Sequence, residues 1–230
     1  MIGIIGAMPS EVDALRREMT DVTERKVGFS TIWEGTLCGK KTALALCGIG
    51  KVHAALCAQA MLLRYPLTLL LNIGVAGALI GEAAIADAVV ADAAVQHDMD
   101  TSPLGDPRGM ISGINLVELP CDRDAAGRLR AAAERCGIRC FSGNIATGDR
   151  FIERVEEKKE LHTLFHASAC DMEGAAIAQT AYEMGVPYAA YRCISDTLYG
   201  DGNEYAVNAG RACEAGAKLL RAFLADMPEA

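Results

Sequence analysis

Residues 171–196, DMEGAAIAQTAYEMGVPYAAYRCISD, limit the possible folds more than any other part of the chain. Residues 172–184 are rich in alanine and other strong helix formers, so they predict a helix. Asp171 is a residue type that caps helix starts, Gly185 ends the helix, and Pro187 blocks a restart. Residues 188–194 then read as a strand buried on both faces, ending in Ser195 and Asp196. A helix feeding into a buried strand is the building unit of an α/β sheet. Glu173 falls in the first helical turn, where the helix dipole favours the ionised carboxylate. Asp196 falls just past the carboxyl end of a strand, where sheets of this class hold ligands.

The rest of the chain repeats the alternation. Residues 1–7 form a short apolar run that predicts a buried strand. Pro9 opens a helix over 9–19, with Val12, Leu15 and Met19 on one face. Glu11 sits at that strand-to-helix junction and, taken alone, reads as a surface glutamate. Residues 27–46 look like a hairpin turning near Gly39, and 52–64 a helix. Gly48 and Gly50 before it suit a tight turn or a close backbone approach to a ligand, without completing a dinucleotide fingerprint. Residues 67–73 predict a second buried strand, followed by the small residues 74–78. Further strands are expected over 84–95 and 140–145, and helices over 124–136, 152–164 and 204–225. The helix over 152–164 is charged and reads as solvated. The order predicts one α/β domain over 1–230: three layers, with a mixed central β-sheet flanked by helices.

Composition excludes several function classes. A net charge of −8 leaves no basic surplus for a nucleic-acid partner. The nine cysteines are scattered without a Cys-x-x-Cys pair, and no secretory segment opens the chain, so reduced thiols in a cytoplasm are expected. Cys136 and Cys140 have helical spacing rather than that of a zinc knuckle. The apolar run 67–71 is far too short to span a membrane. His97, Asp98 and Asp100 alternate as metal ligands can, and His162 and His166 are four apart. With four histidines in all and no HExxH, a metal is the weaker reading. Phe151, just beyond a strand end, suits either stacking on a planar ligand or, more often, core packing.

Three carboxylates, Glu11, Glu173 and Asp196, come from element ends expected to face one crevice. Two carboxylates across a sugar are the general device for cleaving a glycosidic bond. A third can accept hydrogen bonds from two ribose hydroxyls. The residues alone leave a hydrolase and a nucleotide-binding module both open.

Several segments together resemble the 5′-methylthioadenosine/S-adenosylhomocysteine nucleosidases. They are GIIGAMPSEV at 3–12, GIGKV at 48–52, NIGVAGAL at 72–79, HDMD at 97–100, TGDRFI at 147–152, DMEGAAIA at 171–178 and RCISD at 192–196. The match runs in order from residue 1 to about residue 200. It implies a nucleoside phosphorylase-like fold, usually a homodimer, acting on a small adenine nucleoside with no cofactor and no metal. Glu11 would be the base that activates water. Asp196 would be the acid toward N7 of adenine, positioned by Ser195. Glu173 would bind the ribose 2′- and 3′-hydroxyls, and Met172 would pack on the ribose. Phe151 would stack on adenine, with the Ile152 backbone hydrogen-bonding it. Met8 and Ile49 would line the sugar and 5′ end, Val75, Ala76 and Gly77 would contact the substrate, and Arg192 would help order the water.

Phosphorylases of the same fold resemble this chain less. They carry an arginine on the strand that here reads LLLNI at 69–73, and Glu11 would repel phosphate from that corner. A phosphorylase and a non-catalytic nucleoside-binding relative are the alternatives. The chain departs from the nucleosidases at Val75, where Ser or Thr is common, at Ala78, commonly Gly, and at Leu104, often aromatic. These changes leave the 5′-substituent open, including 5′-deoxyadenosine.

Overall fold

Alternating apolar residues decide the layering. In a computed structural model that describes residues 1–228, Ile2 and Ile4 of β1 (Ile2–Gly6) face one layer of helices and Ile5 faces the other. Tyr191 and Cys193 of β11 (Tyr188–Asp196) face the first layer, while Tyr188 and Ala190 face the second. A period of two with apolar residues at every position buries both faces, which requires helices on both sides. The first layer is α1 (Pro9–Glu18), α3 (Arg123–Arg135) and α6 (Gly202–Ala225). The second is α2 (Lys51–Arg64) and α5 (Gly174–Glu183). α4 (Val155–Phe165) packs Leu161 and Phe165 against Val95, Ala146 and Ala167 at the far end of the sheet.

The remaining strands are β2 (Thr20–Val27), β3 (Ser30–Leu37), β4 (Lys40–Leu46), β5 (Leu69–Asn72), β6 (Val75–Ala78), β7 (Ala88–Gln96), β8 (Leu119–Pro120), β9 (Cys140–Thr147) and β10 (Ala167–Asp171). They form one sheet in the order β2-β3-β4-β1-β5-β11-β6-β10-β9-β7-β8. β1 runs parallel to β4 and β5, and β11 parallel to β5 and β6. β7 returns to pair antiparallel with β11, so this end of the sheet curls into a ring. β11 is the seam: residues 188–190 pair with β5, and the distal half pairs with β6 and β7. This is the expected α/β mixed sheet between helices.

Several sequence expectations are corrected. β2 was not foreseen, because TDVTERKV is polar and almost wholly exposed on the sheet edge. Residues 75–78, expected only as small residues following a strand, form a short strand of their own. The helix expected over 172–184 starts at Gly174, leaving Met172 and Glu173 before its first turn. Asp196 ends β11 instead of following it. Cys136 caps α3 and Cys140 opens β9, so the two share no helix. His166 lies beyond the end of α4 with φ of 51°, so it and His162 do not share a helical face.

Candidate active site

Glu11 is buried because α1 begins directly at the end of β1. The turn places the carboxylate back over the strand end, and Glu11 is only 7% exposed, not a surface residue. Oε2 accepts the backbone N–H of Ala7 (2.7 Å) and Met8 (3.0 Å), and Oε1 that of Val75 (3.0 Å). A Cβ on Gly74 would stand 2.6 Å from Oε1, so this approach requires glycine. Burial raises the Glu11 pKa, opposed by nearby Arg192 and by the three amide donors.

The second carboxylate comes from the β10–α5 junction. Asp171 does the capping work, accepting Gly174 N–H (2.9 Å) on Oδ2 and the Thr147 hydroxyl (2.5 Å) on Oδ1. Glu173 occupies the cap position itself and accepts Gly50 N–H at 2.8 Å, which gives the Gly50 turn a specific contact. Burial, then the charges of Asp171 and Glu11, push Glu173 up to about 7.

Asp196, at the end of β11, lines the same cavity. Ser195 Oγ lies 3.0 Å from Oδ1, and the Lys158 ammonium donates to Oδ2 at 3.0 Å. A Cβ on Gly77 would meet Oδ2 at 2.7 Å, so glycine is needed here too. Burial raises the Asp196 pKa, and Lys158 and Ser195 oppose the rise.

A cavity of about 230 Å³ joins these groups. Glu11, Met8 and Ile49 line one end, and Asp196, Ser195, Phe151 and Ile152 are also in its wall. Met172 and Glu173, with Val75, Ala76 and Gly77, complete the part foreseen from sequence. Phe151 is 46% exposed and meets Tyr205 edge-on at 5.7 Å, so it is a cavity wall and not core filler. An adjoining hollow of about 600 Å³ shares Ala7, Met8 and Ile49 and is walled by Phe29, Trp33 and His53. It offers further room beyond Met8 and Ile49.

Arg192 is the exception among the foreseen residues. It is 1% exposed and lies behind the wall. Its guanidinium donates to Asn72 Oδ1 and Asp171 Oδ2, and to the carbonyls of Asn72 (3.3 Å) and Tyr191 (2.9 Å). Its positive charge still reaches Glu11 and Glu173. Any part of Arg192 in ordering a water would therefore act through Glu11 rather than by lining the cavity.

Sequence reasoning missed Tyr205, whose hydroxyl reaches Met8 Sδ at 3.2 Å, and Lys158. Tyr205 follows a Gly-rich loop at helical spacing, with no signal of its own. Lys158 sits in the run VEEKKEL, where its identity as the buried lysine is visible only once Leu161 and Phe165 define the inner face of α4. Asp98 is held by Lys51 (2.6 Å) and the Asp149 N–H (3.0 Å). Among the described residues no three His, Cys, Asp or Glu side chains group as a metal site.

The site can be set beside known proteins. The phosphorylase superfamily model matches residues 1–225. A 5′-methylthioadenosine/S-adenosylhomocysteine nucleosidase of Staphylococcus carnosus is 33% identical over 204 residues, covering 88% of this chain and 89% of the relative. The Neisseria meningitidis nucleosidase of the same name, solved with methylthio-immucillin-A, superposes with a TM-score of 0.93 at 29% identity, covering 98% and 99% of the two chains. A futalosine hydrolase of Helicobacter pylori superposes with a TM-score of 0.92 at 31% identity, covering 98% and 97%. With the fold, the cavity and the relatives in agreement over nearly the whole length, the chain belongs to the phosphorylase superfamily and, within it, to the 5′-methylthioadenosine/S-adenosylhomocysteine nucleosidases.

Proposed function

We propose that this chain hydrolyses the N-glycosidic bond of a 5′-substituted adenine nucleoside, releasing adenine and the free sugar. The observation that carries the reading is the placement of Glu11, Glu173 and Asp196 around one cavity, each fixed by its own donors. Adenine leaves poorly as an anion and well once N7 carries a proton, which is the task of Asp196. The bond breaks through an oxocarbenium-like state. Glu173, accepting the ribose hydroxyls, puts negative charge near the carbon that becomes positive. Glu11 takes a proton from the attacking water.

Water is the nucleophile in this reading, because the corner that a phosphate dianion would need is filled by Glu11. β5 brings Asn72 there rather than a cation. Arg150, the one cationic side chain among the described residues lining the cavity, is paired with Glu157 at 2.9 Å. The 5′-group is set by the hollow beyond Met8 and Ile49. Methylthioadenosine and S-adenosylhomocysteine are the first substrates to try, and 5′-deoxyadenosine and futalosine-type nucleosides the next.

The same reading gives a homodimer in the cytoplasm. Val52, Leu56 and Leu63 form an exposed apolar stripe on α2, with Ile49 just before it, which supports self-association. The free state of the nine cysteines supports a reducing compartment.

Incubation with methylthioadenosine, with and without phosphate, tests the reaction. Methylthioribose formed at the same rate in both arms is expected. Methylthioribose 1-phosphate formed only with phosphate would make the enzyme a phosphorylase. Tight binding without turnover would make it a nucleoside-binding relative.

A further inference from the structure

Lys158 is fully buried, an expensive place for an ammonium unless every proton finds an acceptor. Here every proton does. Nζ donates to Asp196 Oδ2 at 3.0 Å, to the Thr197 carbonyl at 2.8 Å and to the Gly200 carbonyl at 3.1 Å. Glu204 fastens the same loop from α6, accepting Thr197 N–H (2.5 Å) and the Thr197 hydroxyl (3.0 Å). Tyr205 of α6 and Cys170 of β10 complete the titratable surroundings of Asp196, with Ser195 on its other oxygen. Only Lys158 among these places a cation on the carboxylate.

That contact creates a problem for Asp196 acting alone. Burial lifts the Asp196 carboxyl above its ordinary range while the ammonium 3.0 Å away pulls it back toward the ionised form, and whenever it is ionised it has no proton of its own to give. The proton that leaves with the base must come from the pair. We propose that Lys158 is a positioning and proton-supplying residue, so that Lys158 and Asp196 act together as a single acid toward the leaving base.

The proton balance closes. The C1′–N9 bond breaks with its electron pair moving into adenine. N7 takes a proton through Asp196, which takes one from Lys158 Nζ. Water adds to C1′ and yields its proton to Glu11. Solvent then removes the proton from Glu11 and restores that on Lys158. The net change is nucleoside plus water giving adenine plus sugar, with the protein unchanged. The proposal rests on the hydrolytic reading of the site and on Asp196 as the proton donor within it.

The test compares two leaving groups, adenine and 4-nitrophenolate, on the same 5-methylthioriboside. Nitrophenolate departs without a proton. Lys158→Met is expected to lose at least about 100-fold in kcat on methylthioadenosine, with little change on the nitrophenyl substrate. Equal loss on both would make Lys158 merely structural, and no loss on either would remove it from the reaction. Asp196→Asn, run alongside, separates the two layers of inference. If it too keeps turnover of methylthioadenosine, the reading of Asp196 fails. If it is selectively inactive while Lys158→Met is not, only the role of Lys158 fails. Should Lys158→Met not fold, the wild-type protein still decides. Its kcat on methylthioadenosine should fall at alkaline pH, and its kcat on the nitrophenyl substrate should not. An alkaline fall shared by both substrates, or seen with neither, overturns the proposal.

Discussion

Glu11 and Asp196 are both buried carboxylates at strand ends of one cavity, yet their partners differ in kind. Glu11 is held by three backbone amides, which never give up their protons at working pH. Asp196 is held by an ammonium and a hydroxyl, and the proposed acid pair draws its proton from that ammonium. Burial raises both pKa values, so the surroundings, not the residue type, separate the roles. A base needs donors that fix it without competing to protonate it. An acid needs a neighbour that can refill it.

Exchanging charge at each end probes that contrast. Glu11→Gln should lower kcat by about 10²–10⁴ on every substrate, because activation of water is needed whatever leaves. Asp196→Asn should lose as much on the adenine nucleoside and far less on one with a nitrophenolate leaving group. Identical profiles for the two variants would erase the distinction.

Arg192→Met tests the support behind Glu11 and Glu173. It removes the partner of a fully buried Asp171 and should cost about 3–5 kcal/mol of stability by denaturant unfolding. A loss under 1 kcal/mol would mean that the pair is replaceable.

Glu173 gives the mildest effect and a pH signature. In the proposed reading its ionised form accepts both ribose hydroxyls, so KM should fall as pH rises through about 7. Glu173→Gln should raise KM and flatten that dependence. The sign for stability is opposite. Between its ordinary 4.5 and about 7 the folded state holds a proton the unfolded chain has lost. The contribution of this group to stability is therefore greatest at acid pH and is lost as pH rises through 7. A KM that is level from pH 5 to 9 would contradict the assignment.

The parts legible in the sequence were those with strong periodicity or unusual composition. β1, β5 and β11 are near-continuous apolar runs, and the glycine and alanine junctions beside them announced close backbone approach. β2 was illegible because an exposed edge strand has no apolar face to display. β6 and β10 are short, and small residues carry little strand signal. Lys158 was hidden for a different reason. In the run EEKKE every residue looks solvated, and the inward one is chosen by the helix phase that turns Leu161 and Phe165 onto Val95, Ala146 and Ala167. Arg192 lies on the expected buried strand but behind the cavity wall, since hydropathy says nothing of a cation whose acceptors are Asn72 and Asp171.

The central claim is that water, activated at the Glu11 end, attacks C1′ while a proton is delivered to the base from the Asp196 end. Single-turnover reaction of methylthioadenosine in ¹⁸O-labelled water, with mass spectrometry of both products at the earliest times, tests it most directly. The account predicts one ¹⁸O in the sugar, none in adenine, and no change on adding phosphate. A sugar product that carries no label when first formed, or that appears only as a phosphate ester, would contradict it.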